Sequence, residues 1–223
     1  DPDRIRNRVA ELVKLAPDVI FTSGFSTIRP LLDATRSVPI VFANVVDPVG
    51  AGFVNSLARP GGNVTGFMSI EYGLSGKWLE LLKEVAPHLT RAGVLRDPAV
   101  ASGLGMFGAA QAVAPSLRME LTPLDVRDAG EIERGVTGFA HSSNGGLIVP
   151  ASAPVIVRRQ LIITLAARHK LPAIYAYRFF AVDGGLASYG ADSTDTFRQA
   201  AGYVDRILKG ETPASLPVQA PTK

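Results

Sequence analysis

The segment DVIFTSGFSTIRPLLDATRSVPIVFA, residues 18–43, decides the fold class of this protein. Its ends, 18–21 and 39–43, are short apolar runs rich in β-branched residues, which is typical of buried strands. Residues 26–35 between them have the length and apolar spacing of a helix. Strands joined through a helix can pair only in parallel, because a tight turn cannot carry the chain back to the same end of the sheet. The segment therefore predicts a strand–helix–strand unit.

The same alternation continues to the C-terminus. Further strands are predicted at 63–67, 92–95, 119–124, 146–149, 173–175 and 185–189, and further helices at 3–15, 53–57, 74–85, 107–114, 129–139, 155–169 and 194–208. Helices on both faces of parallel strands make the fold class α/β, with doubly wound parallel sheets. A Pro60-Gly61-Gly62 break, and a last helix far along the chain from the first two strands, favour two lobes. The first lobe comprises residues 1–65 and 190–223, and the second comprises residues 66–189.

Composition and charge exclude several function classes. The 223 residues are 47% hydrophobic and 19% charged, with no Cys and a formal charge of +3 from scattered basic residues. Because phosphate affinity comes from clustered basic side chains, we expect no nucleic-acid partner. No apolar run approaches the roughly 18 residues that a membrane-spanning helix needs. The three His are far apart and Cys is absent, so the sequence predicts neither a metal site nor a catalytic set, and we expect no enzyme.

One motif favours a competing interpretation. The run Gly103-Leu-Gly-Met-Phe-Gly108 matches the G-x-G-x-x-G pattern of dinucleotide-binding proteins, and Asp125 follows the next predicted strand. In that mechanism the first glycine turns the chain directly after the strand, so that the helix N-terminus faces the pyrophosphate. Here residues 96–102 intervene. We therefore expect a flexible loop before a helix and no cofactor, and we keep a nicotinamide-dependent Rossmann enzyme as an alternative.

Polar residues follow several predicted strands, at the edge where open parallel sheets bind ligands. The loop 22–27 offers hydroxyls and the free N–H groups of the next helix, which suit a carboxylate or another anion. Similar polar loops follow at 44–48, 150–152 and 190–192. Each loop alone is explained equally well as a helix cap or a turn. Because they converge at one edge, together they predict a small-molecule site.

Eight stretches, in order along the chain, resemble the ABC-transporter substrate-binding family that includes the tryptophan-binding type. The most specific is SLARPGGNVTG at 56–66, and others lie at 47–52, 77–83 and 203–208. The resemblance implies a type I periplasmic binding protein fold, in which two doubly wound lobes enclose a ligand cleft. It implies crossing segments at 63–67 and 188–191 and a third beyond the end. It also implies a strand–helix–strand unit before the first helix and a strand and helix after Thr222, so the first lobe is expected to be incomplete at both ends here.

The function implied by this resemblance is that of an extracytoplasmic solute-binding protein of an ABC importer. The expected location is periplasmic or membrane-anchored, with the signal sequence outside this chain. The expected ligand is a small amino acid-like metabolite, and the expected partner is an ABC permease in the inner membrane. We expect a monomer without cofactor, metal or catalytic residues. A second alternative, the effector-binding domain of a transcription regulator, has the same two-lobed fold but needs a DNA-binding helix pair upstream.

The same resemblance assigns roles to residues at the strand ends. The loop 22–27 resembles the site that holds a ligand carboxylate in amino-acid binders of this fold. Asp47 or Asp192 would take an ammonium group. Four aromatic rings would cover an apolar body: Phe25, Tyr72, Tyr175 and Tyr177. The candidate ligand-binding residues are Ser23, Gly24, Phe25, Ser26, Thr27, Asn44, Asp47, Ser152, Tyr175 and Asp192.

Overall fold

The computed structural model describes residues 2–98 and 101–221, so Thr222 lies outside the described residues. The contacts divide the chain into two compact units: unit 1, Asp1–Glu71 with Ala191–Lys223, and unit 2, Tyr72–Gly190. Each unit has its own parallel sheet. The segment 63–67, expected to cross between lobes, lies within unit 1 instead. The lobe boundaries at 65 and 190 stay a prediction for the whole protein.

Strands and helices alternate along the described residues. The strands are β1 (Ile20–Ser23), β2 (Ile40–Val45), β3 (Val64–Met68), β4 (Arg91–Arg96), β5 (Glu120–Asp125), β6 (Gly145–Val149), β7 (Ala173–Tyr175) and β8 (Ala187–Ser188). The helices are α1 (Pro2–Lys14), α2 (Ile28–Ala34), α3 (Leu74–Val85), α4 (Ala101–Val113), α5 (Ala129–Ala140), α6 (Ala153–Val157), α7 (Arg159–Arg168), α8 (Arg178–Val182) and α9 (Ser193–Leu208). Paired strands are parallel throughout these residues, which is the arrangement expected for an α/β fold.

In unit 1 the sheet order is β1-β2-β3, and the middle strand is buried along nearly its whole length. Successive side chains of a strand point to opposite faces. Ile40 and Phe42 accordingly pack in a cluster with residues of α1 and α2, while Val41 and Ala43 pack against α9. Burial on both faces explains why β2 is uniformly apolar rather than alternating. The two helical layers hold the ends of β1 and β2 at one edge of the sheet.

In unit 2 the sheet order is β5-β4-β6-β7-β8. Strands β4 and β6 are neighbours, with Val94 opposite Ile148, so their carboxyl ends emerge side by side. Helix α3, whose bounds agree with the predicted 74–85, buries Trp78 completely. The indole Nε1–H of Trp78 donates to the carbonyl oxygen of Tyr189 at 2.6 Å. This bond satisfies the polar end of the ring and fixes α3 against the end of unit 2.

Three predicted elements differ from the structure. The helix expected at 53–57 is a series of turns, because the N–H groups of Phe53 and Val54 both donate to the carbonyl oxygen of Pro48. The single helix expected at 155–169 is two helices, α6 and α7, separated at Arg158, whose φ of −106° and ψ of 20° are not helical. The strand expected at 185–189 is shortened to β8, and α8 before it has no counterpart among the predicted elements.

The glycine-rich run 103–108 lies inside helix α4, so the loop expected there is wrong. The helix begins at Ala101 rather than at 107. Two of its glycines allow close packing within unit 2. A Cβ at Gly105 would lie 2.6 Å from Cζ of Tyr72, and a Cβ at Gly103 would lie 3.0 Å from the carbonyl oxygen of Asp97. Packing thus explains these glycines without a dinucleotide.

We expect Gly108→Ala and Gly105→Ala to differ in their effect on stability. No described atom lies within 4 Å of a Cβ placed at Gly108. Alanine there should raise the free energy of unfolding by about 0.5–1 kcal/mol, because it has the higher helix propensity. At Gly105 the contact with the Tyr72 ring opposes the same gain. Urea unfolding measures both variants, and equal stabilisation would contradict the packing role of Gly105.

Candidate functional site

The ends of β1 and β2 form a polar edge in unit 1. Ser23, the last residue of β1, lies opposite Ala43 in the sheet, and Asn44 follows Ala43. The amide Nδ2 of Asn44 donates to Oγ of Ser23 at 3.2 Å. The N–H of Gly24 donates to the carbonyl oxygen of Ala43 at 2.9 Å, and Gly24 turns the chain away from the sheet with a φ of +86°. The structure therefore brings Ser23, Gly24 and Asn44 together, as expected from the strand ends.

The rest of the loop is more occupied than expected. Helix α2 begins at Ile28, two residues after the predicted start at 26, and has seven residues. The hydroxyls of Thr22 and Thr27 bond to each other. Among the described residues the Thr27 side chain makes no capping bond to the helix. The hydroxyl of Thr27 is thus used within the protein, and the exposed hydroxyls of this loop are those of Ser23 and Ser26.

Phe25 lies on the apolar side of this loop. Its ring packs against Phe53, with 4.9 Å between the ring centroids, and Arg29 lies over the Phe53 ring at 5.5 Å. Phe25 is half-buried at the edge of the unit 1 core. Its contacts are those of a packed core residue, and its role against a ligand stays a prediction.

Asp47 and Asp192 both act as caps in unit 1. Asp47 has a φ of +47°, and its Oδ1 accepts from the N–H of Gly50 at 2.8 Å. Asp192 is the N-cap of α9, where its Oδ1 accepts from the N–H of Thr194 at 2.8 Å. These hydrogen bonds explain both carboxylates structurally. The binding of a ligand ammonium group by either one stays a prediction.

The tyrosines of unit 2 do not form the expected cover for a ligand. Tyr175 is 1% exposed, and its ring stacks on Phe180 with 5.1 Å between centroids. Burial raises the pKa of Tyr175 to about 12. Tyr177 is also buried and stacks on Phe179 at 5.3 Å. Both rings belong to the core, because stacking buries apolar surface that a ligand would otherwise have to cover.

Ser152 lies at the carboxyl edge of the unit 2 sheet. It is the N-cap of α6, and its Oγ is buried without a hydrogen-bond partner among the described residues. Arg96, the last residue of β4, lines the same small cavity, and its Nε and Nη1 are likewise buried and unpartnered there. Sequence reasoning missed Arg96. The available signal was an arginine that directly follows the apolar run Gly93–Leu95 at a strand end.

The described residues contain no group of three His, Asp or Glu side chains that could hold a metal ion. Among the same residues, no helix combines the length and the apolar character that crossing a bilayer requires.

We expect neither NAD nor NADP to bind. The N–H groups of residues 105–108 lie beyond the first turn of α4, so the helix itself uses them and they cannot hold a pyrophosphate. Isothermal titration of the intact protein with each dinucleotide should give no heat of binding. A micromolar dissociation constant for either one would restore the enzyme alternative.

Comparisons with known proteins give the chain its family context. The sequence profile of the family described as "ABC transporter substrate binding protein" matches residues 1–223. A curated protein of Clostridioides difficile (strain R20291), named "Tyrosine-binding protein", is 25% identical over 201 residues. This match covers 90% of the chain, and the chain spans 57% of that relative's length.

Two solved structures share the fold. A conserved domain protein of Vibrio cholerae O1 biovar El Tor has a TM-score of 0.91 at 28% identity, and the match covers 99% of this chain and 73% of the other. The ABC domain of Streptococcus pneumoniae in complex with L-Trp also has a TM-score of 0.91, at 24% identity, with 99% and 74% covered. These likenesses confirm the predicted α/β class and a type I periplasmic binding protein-like fold.

Proposed function

This chain belongs to the family of ABC transporter substrate-binding proteins, and from that premise we propose that it is the solute-binding component of an ABC importer. Its ligand is a small amino acid-like metabolite. It acts outside the cytoplasm, in the periplasm or anchored to the membrane, as a monomer that hands its ligand to an ABC permease in the inner membrane. It binds without catalysing a reaction.

The proposed mechanism is a change in population between two conformations. Ligand held in a cleft between two lobes lowers the free energy of the closed state relative to the open state, because the closed state makes contacts with the ligand from both sides. The permease then recognises the closed form. The ligand acts by its differential affinity for the two states, so no covalent step is needed.

The observation that carries the proposal is the Ser23–Asn44 pair at the edge of the unit 1 sheet. An asparagine amide has two N–H donors, and Asn44 uses one of them on Ser23 Oγ. That bond occupies an acceptor position of Ser23, so the hydroxyl hydrogen is directed elsewhere. The pair therefore offers one amide N–H and one O–H to an acceptor with two oxygens. A carboxylate is such an acceptor, and each charge-assisted bond contributes about 1.5–3 kcal/mol.

The named relative supports the ligand class. The tyrosine-binding protein of Clostridioides difficile matches 90% of this chain. An amino acid presents the carboxylate that the Ser23–Asn44 pair suits. We therefore propose an amino acid with an aromatic or branched side chain as the leading candidate.

A thermal-shift screen of the full-length mature protein tests this function. The panel contains the twenty amino acids, a set of neutral sugars, and nucleosides. We expect an amino acid to raise the melting temperature most, since a ligand that binds the folded state alone stabilises it by mass action. A neutral sugar as the best ligand would contradict the carboxylate site while leaving the importer role in place. No response to any solute would contradict the proposed function itself.

A further inference from the structure

Two unpartnered polar groups meet at the carboxyl edge of the unit 2 sheet. Strands β4 and β6 pair directly, with Val94 opposite Ile148, so Arg96 and the loop that ends in Ser152 emerge beside each other. Both residues line one cavity of about 30 Å³. Ser102 and Gly103, at the start of α4, lie on its other wall, and Asp97 also lines it. The cavity lies entirely within unit 2.

The polar atoms at this cavity need an acceptor. Nε and Nη1 of Arg96 and Oγ of Ser152 are buried and have no hydrogen-bond partner among the described residues. An arginine side chain stays charged at any ordinary pH, so its burial without an acceptor costs more than that of a neutral donor. Such groups are rare in folded proteins, and a bound water or ion commonly explains them.

The contacts that Arg96 does make hold it in place without satisfying it. Its guanidinium lies over the Phe107 ring, 5.2 Å from the centroid. That stacking orients the group but supplies no hydrogen-bond acceptor. Other arginines of unit 2 have acceptors: Arg91 donates to the carbonyl of Ser142, and Arg127, Arg134 and Arg159 pair with Asp125, Glu131 and Asp183. Arg96 differs from them in being positioned and left unpaired.

We infer that Arg96 and Ser152 form an anion site in unit 2 that takes a carboxylate group. The carboxylate oxygens accept from the guanidinium and from the Ser152 hydroxyl, which removes the unsatisfied donors. A volume of about 30 Å³ accommodates a group of this size and excludes a nucleotide. Asp97 on the wall disfavours a doubly charged phosphate relative to a singly charged carboxylate. The inference goes beyond the proposed function, because it concerns unit 2 alone and does not depend on the Ser23–Asn44 pair.

The experiment follows the arginine Nε–Hε resonances of the ¹⁵N-labelled full-length protein during titration with sodium acetate. Sodium chloride at matched ionic strength and sodium phosphate form the comparison arms. We expect one arginine cross-peak to shift and saturate with acetate, and to be absent in Arg96→Gln. The matched control Arg168→Gln, at an exposed helix position of unit 2, should leave that response unchanged. Ser152→Ala should weaken the acetate affinity at least fivefold.

Stability separates a binding role from a structural one. Arg96→Gln removes an unpaired buried charge, so in chloride buffer its melting temperature should not fall, whereas loss of a structural arginine would lower it. A shift that persists in Arg96→Gln, an equal response to chloride, stronger binding of phosphate than of acetate, or a melting temperature lowered by Arg96→Gln would overturn the inference. If Arg96→Gln fails to fold, that outcome overturns it as well. These readouts use acetate, so they stand apart from success or failure of the amino-acid screen.

Discussion

Asn44→Asp is expected to weaken the binding of an amino acid about 100-fold. The substitution keeps the size of the side chain and its tolerance of a positive φ, which is +57° here. It replaces two N–H donors with a negative charge beside Ser23, where the ligand carboxylate is proposed to lie. Loss of a charge-assisted hydrogen bond together with like-charge repulsion amounts to about 2.7 kcal/mol, or two factors of ten. Isothermal titration with L-tyrosine, or with the amino acid that the screen identifies, measures the change.

The matched control is Asn7→Asp. Asn7 is exposed on α1, in the same unit, so this variant makes the same change of charge away from the sheet edge. We expect its affinity to be within a factor of about two of the parent protein, because charges exposed to solvent are screened at this distance. Equal affinities for Asn44→Asp and Asn7→Asp would show that Asn44 does not contact the ligand carboxylate.

Gly66→Ala is expected to lower the free energy of unfolding by about 3 kcal/mol. A Cβ at this position would lie 2.1 Å from the carbonyl oxygen of Phe42, a backbone atom that cannot rotate away. Phe42 and Gly66 are partners in the pairing of β2 with β3, so relief of the clash would separate the two strands. Overpacking against backbone lies at the upper end of the range of about 1–3 kcal/mol. Urea unfolding followed by circular dichroism measures the loss.

Gly62→Ala provides the comparison for that prediction. Gly62 precedes the same strand and is exposed, and no described atom lies within 4 Å of a Cβ placed there. Its effect should stay within about 0.5 kcal/mol, as for other surface substitutions. A loss for Gly66→Ala no larger than that for Gly62→Ala would mean that the close approach of β2 and β3 does not constrain the fold.

The parts of the fold that the sequence predicts well are those with a strong apolar pattern. Strand β2 is apolar on both faces and α3 is amphipathic, and both are found close to their expected positions. Helix α4 carries glycines at 103, 105 and 108 and lacks a clear apolar stripe, so its first two turns could not be distinguished from a loop. The turns after Asp47 depend on hydrogen bonds to Asp47 and Pro48, which leave no periodic signal in the sequence.

The candidate site was predictable to the extent that strand ends determine it. Ser23 and Asn44 follow from the positions of β1 and β2, since adjacent parallel strands end at one edge. The direction of the Tyr175 ring does not follow, because it depends on which face of β7 packs against Phe180. The pairing of Thr22 with Thr27 and the unpaired state of Arg96 depend on side-chain packing across several elements. Neither could be derived from spacing along the chain.

The most direct test of the central claim compares an amino acid with its C-terminal amide. Titration of the full-length mature protein with L-tyrosine and with L-tyrosinamide changes the ligand carboxylate and nothing else, and any other amino acid from the screen can replace the pair. If the Ser23–Asn44 edge holds a carboxylate, the amide should bind at least about 30-fold more weakly, a difference of roughly 2 kcal/mol. Equal dissociation constants for the acid and the amide would contradict the claim that this protein recognises its ligand through a carboxylate.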